Sequence, residues 1–255
     1  MTNSSATRSH DLDGIRPAPV SPGWRDRLRR SGHAGAPHTG VRERLVPPFP
    51  EPAAHLWQLL GLGPARAQRL AKATEWLGPL LVTALAGALR FWRLGRPRGL
   101  IFDETYYAKD SWALLHLGYE GTWPDRKIAD PEILAHPQVI PLSDTGSFVA
   151  HPPTGKWVIS AGEWLFGLDP VGWRFMTALL GTLSVFMLCR IGRRLFRSTF
   201  LGCLAGALMA VDGLHLVMSR TALLDLVVMF FVLAAFGCLL IDRDRARARL
   251  AAALP

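Results

Sequence analysis

The sequence has little of what builds a disulfide-stapled or metal-centred domain. It holds three cysteines, Cys189, Cys203 and Cys238. Each lies within or beside an apolar run and no two have metal-ligand spacing. They are therefore expected to pack as small apolar residues rather than to form a disulfide framework. No metal cluster is present in the sequence, so no metal site is expected. The first 50 residues lack the apolar core of a secretory signal and are rich in Pro, Gly, Ser and Arg, a composition that predicts disorder. Acids are missing where bases are densest: Arg190, Arg193, Arg194 and Arg197 have none among them.

What is present is hydrophobicity and positive charge, in separate places. Of 255 residues 49% are hydrophobic, yet the formal net charge is +9. In a soluble protein that basicity would point to nucleic acid. Here long apolar runs alternate with Arg-rich stretches, the pattern of an inner-membrane protein, and nucleic acid is not an expected partner. Arg25, Arg27, Arg29 and Arg30 sit in a basic tail over 1–65, a solvated segment or one that touches anionic lipid headgroups.

Four apolar segments approach the roughly 20 residues that a membrane-crossing helix needs: 76–94, 172–191, 200–218 and 221–241. In the first, Arg90 and Arg93 are expected to reach up to the interface. Bases flank the segments at Arg66, Arg69 and Lys72, at the Arg190–Arg197 group, and at Arg243, Arg245, Arg247 and Arg249. The positive-inside rule puts all three groups in the cytoplasm, which four crossings satisfy together. The chain thus reads as an α-helical polytopic membrane protein with a cytoplasmic N-terminus and a transmembrane region over 66–245. The connection 95–171 then lies outside, and 246–255 is a cytoplasmic end. Arg90, Arg93, Arg96 and Arg98 face outward in this arrangement and call for an anionic ligand or lipid headgroups.

The outer connection differs from the others in charge, with ten acids against six bases. A connection of this length is usually functional. Two stretches in it read as helical, Glu104–Leu117 and Lys156–Leu168. The second carries Trp157, Trp164 and Phe166, is too short to span, and fits a helix lying in the interface.

Three clusters could carry chemistry. Asp103 and Glu104 are adjacent carboxylates just outside the first segment, where repulsion favours pairing or protonation of one of them. They read as a solvated turn or helix cap, or as a general base whose neighbour is held by a cation. In HPPTGK, His151 to Lys156, two prolines extend the backbone and Gly155 permits a turn, which suits a stiff connector as well as a site. Lys156 there could meet a phosphate. In SRTALLD, Ser219 to Asp225, an Arg and an Asp near the outer membrane surface are costly and hence candidates for function. Arg220 could pair with Asp225 or meet a ligand phosphate. Asp212 and His215 share a helix face and read as a buried polar contact within the bundle.

The series FDETYYAKDSWALLHLGYE, HPPTGKWVISAGEWLFG, GWRFMTALLGTLSVFMLCRIGRRLFRSTFLG and ALMAVDGLHLVMSRTALLDLVVMFFVLAAFG resembles bacterial, particularly actinobacterial, protein O-mannosyltransferases. The resemblance covers roughly residues 76–245 and leaves 1–65 uncovered. It implies the N-terminal part of a GT-C membrane glycosyltransferase fold, with about four transmembrane helices and a long outer catalytic loop. It implies transfer of mannose from polyprenyl-phosphate mannose to Ser or Thr hydroxyls of secreted proteins, at the outer face of the plasma membrane and with inversion. The donor is a lipid-linked substrate, and no cofactor is expected. The lipid bilayer and the secretion translocon complete the expected partners. The family's catalytic Asp-Glu pair matches Asp103 and Glu104. Its HPP-x-GK segment matches His151, Pro152, Pro153, Gly155 and Lys156, and its Arg near the fourth span matches Arg220, with Asp225 following.

A phosphate leaving group departs as a stable anion and needs no general acid, so one base suffices, with cations stabilising the growing charge. Glycoside hydrolysis differs, since its poor leaving group calls for a second carboxylic acid. The assignment expected is Asp103 as base, Glu104 as its positioning partner, and Arg220 and Lys156 as phosphate contacts. Family members continue well past the point matching Pro255, so the chain is expected to be a fragment. Two alternatives are a related GT-C enzyme acting on a glycolipid and a non-catalytic four-span membrane protein.

Overall fold

A computed structural model of the chain describes residues 61–123, 142–143 and 145–253. The expected disordered tail up to residue 60, including Arg25, Arg27, Arg29 and Arg30, lies outside the described residues. So do Asp125, Arg126, Lys127, Asp130, Glu132 and Asp144 of the long connection, and the last two residues of the chain. The described residues are mostly helical, with α1 Pro64–Phe91, α2 Glu104–Leu117, α3 Thr154–Phe166, α4 Pro170–Phe196, α5 Thr199–Val211, α6 Gly213–Met218 and α7 Leu224–Ala253. Among them no strand forms; Gly121 and Gly146 make an isolated antiparallel bridge.

Local chemistry explains where the helices start. Pro64 and Pro170 occupy first-turn positions, where a missing N–H costs nothing. Asp169 caps α4, its carboxylate accepting from the Val171 and Gly172 amides at 2.7 and 2.8 Å. Ser198 caps α5 through Leu201 N at 3.3 Å.

Two helices, α4 and α7, are long and apolar enough to cross a membrane by length and composition. The apolar stretch read as one segment over 200–218 is two helices. Asp212 leaves helical geometry at ψ 124° and its carboxylate accepts from His215 N at 2.7 Å, which starts α6 afresh.

The central helix is α4, which packs against α1, α3, α5 and α7. Its contact with α5 depends on Gly202 and Gly206, one turn apart. A Cβ on Gly206 would lie 2.1 Å from Cys189 Sγ, and one on Gly202 would lie 2.4 Å from the Cys189 carbonyl oxygen. Small residues four apart are what lets two helix backbones approach this closely. All three cysteines are free, and Cys189 is buried at this crossing as a packing residue.

Arg90 departs from expectation. It does not reach outward; its side chain is fully buried. The guanidinium donates to the carbonyls of Ala86 (3.1 Å), Ala210 (3.3 Å) and Met209 (3.4 Å), and lies 2.7 Å from His215 Nδ1. Since Arg has no acceptor, His215 accepts at Nδ1 and carries its proton on Nε2 when neutral. A buried cation needs such partners more than it needs the interface. The His215 ring is therefore a bundle contact with Arg90. Asp212, read as part of the same buried contact, is exposed, its carboxylate accepting from the His215 amide.

The connection between α1 and α4 holds α2 and α3. They pack on the start of α4 through Ala108, Trp112, Ile159, Leu168, Trp173 and Ala222, a buried apolar cluster. α3 turns Trp157, Trp164 and Phe166 outward, at 46%, 72% and 47% exposure.

Candidate active site

The candidate residues converge where α2, α3 and α7 begin. Asp103 occupies the N-cap position of α2, and its main-chain carbonyl accepts from the amides of Tyr106 and Tyr107, both at 3.0 Å. Its carboxylate does not cap the helix. Among the described residues it makes no side-chain hydrogen bond or ion pair, and it is half-buried. The preceding residue, Phe102, has φ +53°, a left-handed conformation that costs a non-glycine residue about 1–2 kcal/mol.

Glu104 is used quite differently from its neighbour. It is fully buried against Arg174 of α4, which is also fully buried. Arg174 Nε donates to Glu104 Oε1 at 2.7 Å and Nη2 to Oε2 at 2.6 Å, a two-pronged pair. The carboxylate also accepts from the backbone amides of Ile101 (3.1 Å) and Ala222 (3.0 Å). Arg174 spends its remaining donors on the carbonyls of Leu94, Pro97 and Gly99, at 3.3, 2.8 and 3.1 Å. All five guanidinium N–H groups are thus engaged. One ion pair ties the segment leaving α1, the start of α2, the start of α4 and the segment entering α7. That frame fixes the backbone carrying Asp103.

Lys156, in the first turn of α3, is fully buried between two acids. Its ammonium lies 2.6 Å from Glu120 Oε2 and 2.9 Å from Asp110 Oδ2. Burial alone would depress the ammonium; the hydrogen bonds to Glu120 and Asp110 outweigh it and hold Lys156 above its ordinary value. Asp110 is lifted by burial, only partly offset by Lys156. The trio joins α2, its C-terminal extension and α3.

Tyr107 gathers the others. It stands one helical turn after Asp103, half-buried, with its ring edge-to-face on His151 at 5.9 Å between centroids. Burial raises its hydroxyl pKa, and the charges of Asp103 and Asp225 raise it further. His151 and Asp225 are exposed. Beside this group Arg220 donates to the Leu89 carbonyl at 2.7 Å and the Arg93 carbonyl at 3.4 Å, at the end of α1. The ion pair with Asp225 that the sequence left open is not formed. Two of its five donors are spent, leaving others for an anion.

The structure brings Asp103, His151 and Asp225 together around Tyr107, with Glu104, Lys156 and Arg220 in the surrounding frame. Sequence reasoning missed Arg174 and Tyr107 as individual residues. An Arg at the start of an apolar run is a signal for Arg174, since such a charge needs a partner. Tyr107 carried no signal beyond its one-turn spacing from Asp103. Among the described residues the arrangement holds two carboxylates without a side-chain hydrogen bond or ion pair, the half-buried Asp103 and the exposed Asp225, with several hydrogen-bonding groups and a partly engaged Arg at the same end of the bundle.

Comparison with known proteins gives a consistent picture. Residues 129–251 match the dolichyl-phosphate-mannose-protein mannosyltransferase family. The chain is similar to the polyprenol-phosphate-mannose–protein mannosyltransferase of Mycolicibacterium smegmatis, 40% identical over 186 residues, covering 71% of this chain and 32% of that protein. The Mycobacterium tuberculosis protein of that name is 40% identical over 182 residues, 70% of this chain and 31% of the relative. The Corynebacterium glutamicum protein is 35% identical over 171 residues, 67% of this chain and 29% of the relative. The chain therefore spans about a third of the length of these curated relatives. No solved structure matches.

Proposed function

We propose, from the match of residues 129–251 to the dolichyl-phosphate-mannose-protein mannosyltransferase family and from the similarity to the mycobacterial proteins, that the protein transfers mannose from polyprenyl-phosphate mannose to Ser/Thr hydroxyls of secreted proteins. The observation that carries this reading is the contrast between two adjacent acids. Glu104 is locked by Arg174 and backbone amides, whereas the Asp103 carboxylate next to it is left without a side-chain partner. A base must be able to accept a proton from its substrate, and a carboxylate not held by a cation is ready to do so.

In this reading Asp103 takes the proton of the acceptor hydroxyl as it attacks the anomeric carbon and the C–O bond to phosphate breaks, with inversion. Arg220 meets the phosphate through its unspent donors and stabilises the charge that grows there. His151, Asp225 and Tyr107 line the approach and offer polar groups to the sugar. Glu104 positions Asp103 by fixing the backbone on both sides of it. For Lys156, burial between Asp110 and Glu120 favours holding α2 to α3 over direct phosphate contact.

Membrane placement follows the same proposal. The most apolar 18-residue stretch of α7 is only 17% buried within the chain, which suits a helix facing lipid. With α1 and the α5–α6 pair as further crossings, the chain makes about four. The N-terminus lies in the cytoplasm and the site at the outer face of the plasma membrane, within reach of acceptors leaving the translocon.

Membranes carrying the full-length protein, supplied with radiolabelled polyprenyl-phosphate mannose, test the reaction. Label is expected on a Ser/Thr-rich peptide; label on a glycolipid instead would overturn the acceptor assignment. Labelling Ser143→Cys in intact cells with an impermeant thiol reagent tests orientation. Reaction only after permeabilisation would reverse it.

A further inference from the structure

The end of α4 remote from Asp103 carries a feature that the reaction does not use. A cavity of about 390 Å³ opens there between α4 and α7. Its apolar wall includes Phe186, Ile191 and Gly237, and Arg190, Arg193 and Arg194 line it too. These arginines lie on α4 some 16 or more residues past Arg174, about 24 Å along the axis.

The charges in that lining do not balance. Arg193 pairs with Glu75 at 2.6 Å and Arg194 with Asp244 at 2.7 Å. Asp244 is shared, since Arg243 also reaches it at 2.9 Å. Among the described residues Arg190 has no carboxylate within ion-pair distance. It lies over the Trp76 ring, 4.0 Å from the centroid, and donates to the Glu75 carbonyl at 3.4 Å. An apolar space between two helices that could cross a membrane therefore ends in an excess of positive charge.

We propose that this cavity binds one anionic phospholipid, with an acyl chain against the apolar wall and the phosphate at Arg190. A free phosphate would leave the apolar wall uncovered, and an uncharged lipid would leave the excess cation without a counter-charge. Basic pockets between membrane helices on the cytoplasmic side are suited to anionic headgroups. The inference rests on the membrane placement of α4 and α7 and not on the transfer reaction.

The test is native mass spectrometry of the detergent-purified protein, titrated with dioleoyl-phosphatidylglycerol or dioleoyl-phosphatidylcholine. Phosphatidylglycerol is expected to stay bound at least about fivefold better, and Arg190→Gln to lose about that factor, as one interfacial Arg contact implies. A Cβ on Gly237 would sit 3.5 Å from Ile191 Cδ1, in ordinary contact, so a longer side chain grows into the cavity. Gly237→Leu is accordingly expected to remove retention of the lipid while helix content is preserved. Equal retention of the two lipids by the unaltered protein would overturn the proposal, whatever the variants do. Undiminished phosphatidylglycerol binding by both variants would overturn it too, as would a second copy of the chain occupying the groove in place of lipid.

Discussion

Glu104 and Arg174, 70 residues apart in the chain, meet as a fully buried two-pronged pair at 2.7 and 2.6 Å. Every N–H of the guanidinium is used, and the carboxylate accepts from two backbone amides besides. Removing one member strands the other charge in a buried site, which costs about 3–5 kcal/mol. Arg174→Met should therefore lower thermal stability sharply. Arg174→Lys should rescue little, because an ammonium cannot span five acceptors. Thermal melts of detergent-purified variants check this; a melting temperature for Arg174→Lys equal to the unaltered protein would show that the fork geometry is unimportant.

Lys156 makes a prediction about pH. Its folded pKa lies above the ordinary value of 10.5, so its contribution is fully present below that pH. The contribution is lost only as pH rises through the raised folded value. Stability measured between pH 8 and 10 should thus show no loss from this residue. Lys156→Met, which leaves Asp110 and Glu120 facing each other without a cation, should be destabilised across that whole range. A Lys156→Met protein as stable as its parent at pH 8 would contradict the trio's structural role.

Arg220 tests ligand binding against ion pairing. It bonds the carbonyls ending α1 and makes no pair with Asp225. If the proposed phosphate role holds, Arg220→Met combined with Asp225→Leu should remain inactive and should raise the KM for the lipid-linked donor. Charge-assisted phosphate contacts act in binding as well as in the transition state. Transfer assays at matched protein levels decide it, and activity recovered in the double variant would make Arg220 a structural residue.

Much of this arrangement could be read from residue patterns, and the remainder fails for identifiable reasons. The two helices of the long connection, beginning at Glu104 and at Thr154, followed from residue composition and turn residues. The idea that one acid of the Asp103–Glu104 pair is held by a cation was also available, since adjacent carboxylates repel. Which cation was not, because Arg174 lies far along the chain and only the packing of α2 on α3, and of α3 on α4, brings it near. Arg90 looked like a residue reaching for the interface because hydropathy does not register a ring of backbone carbonyls inside a bundle. The break at Asp212 was hidden for a related reason: an apolar run is blind to a side chain that caps a new helix within it. Glu163 counted in the sequence merely as one outer-loop acid. In the fold it is buried with neither oxygen hydrogen-bonded among the described residues, and burial holds its carboxyl well above the ordinary range.

The central claim is that Asp103 is a base supported by a frame it does not itself hold together. Its carboxylate makes no side-chain hydrogen bond among the described residues, so Asp103→Asn should leave the melting temperature unchanged. General-base catalysis typically contributes about 100- to 10,000-fold, and mannosyl transfer should fall by that order. The decisive measurement is transfer from polyprenyl-phosphate mannose to a Ser/Thr peptide by the Asp103→Asn protein, with its thermal melt recorded on the same preparation. Lost transfer with an unaltered melt is the result expected here, and near-normal transfer would contradict the account.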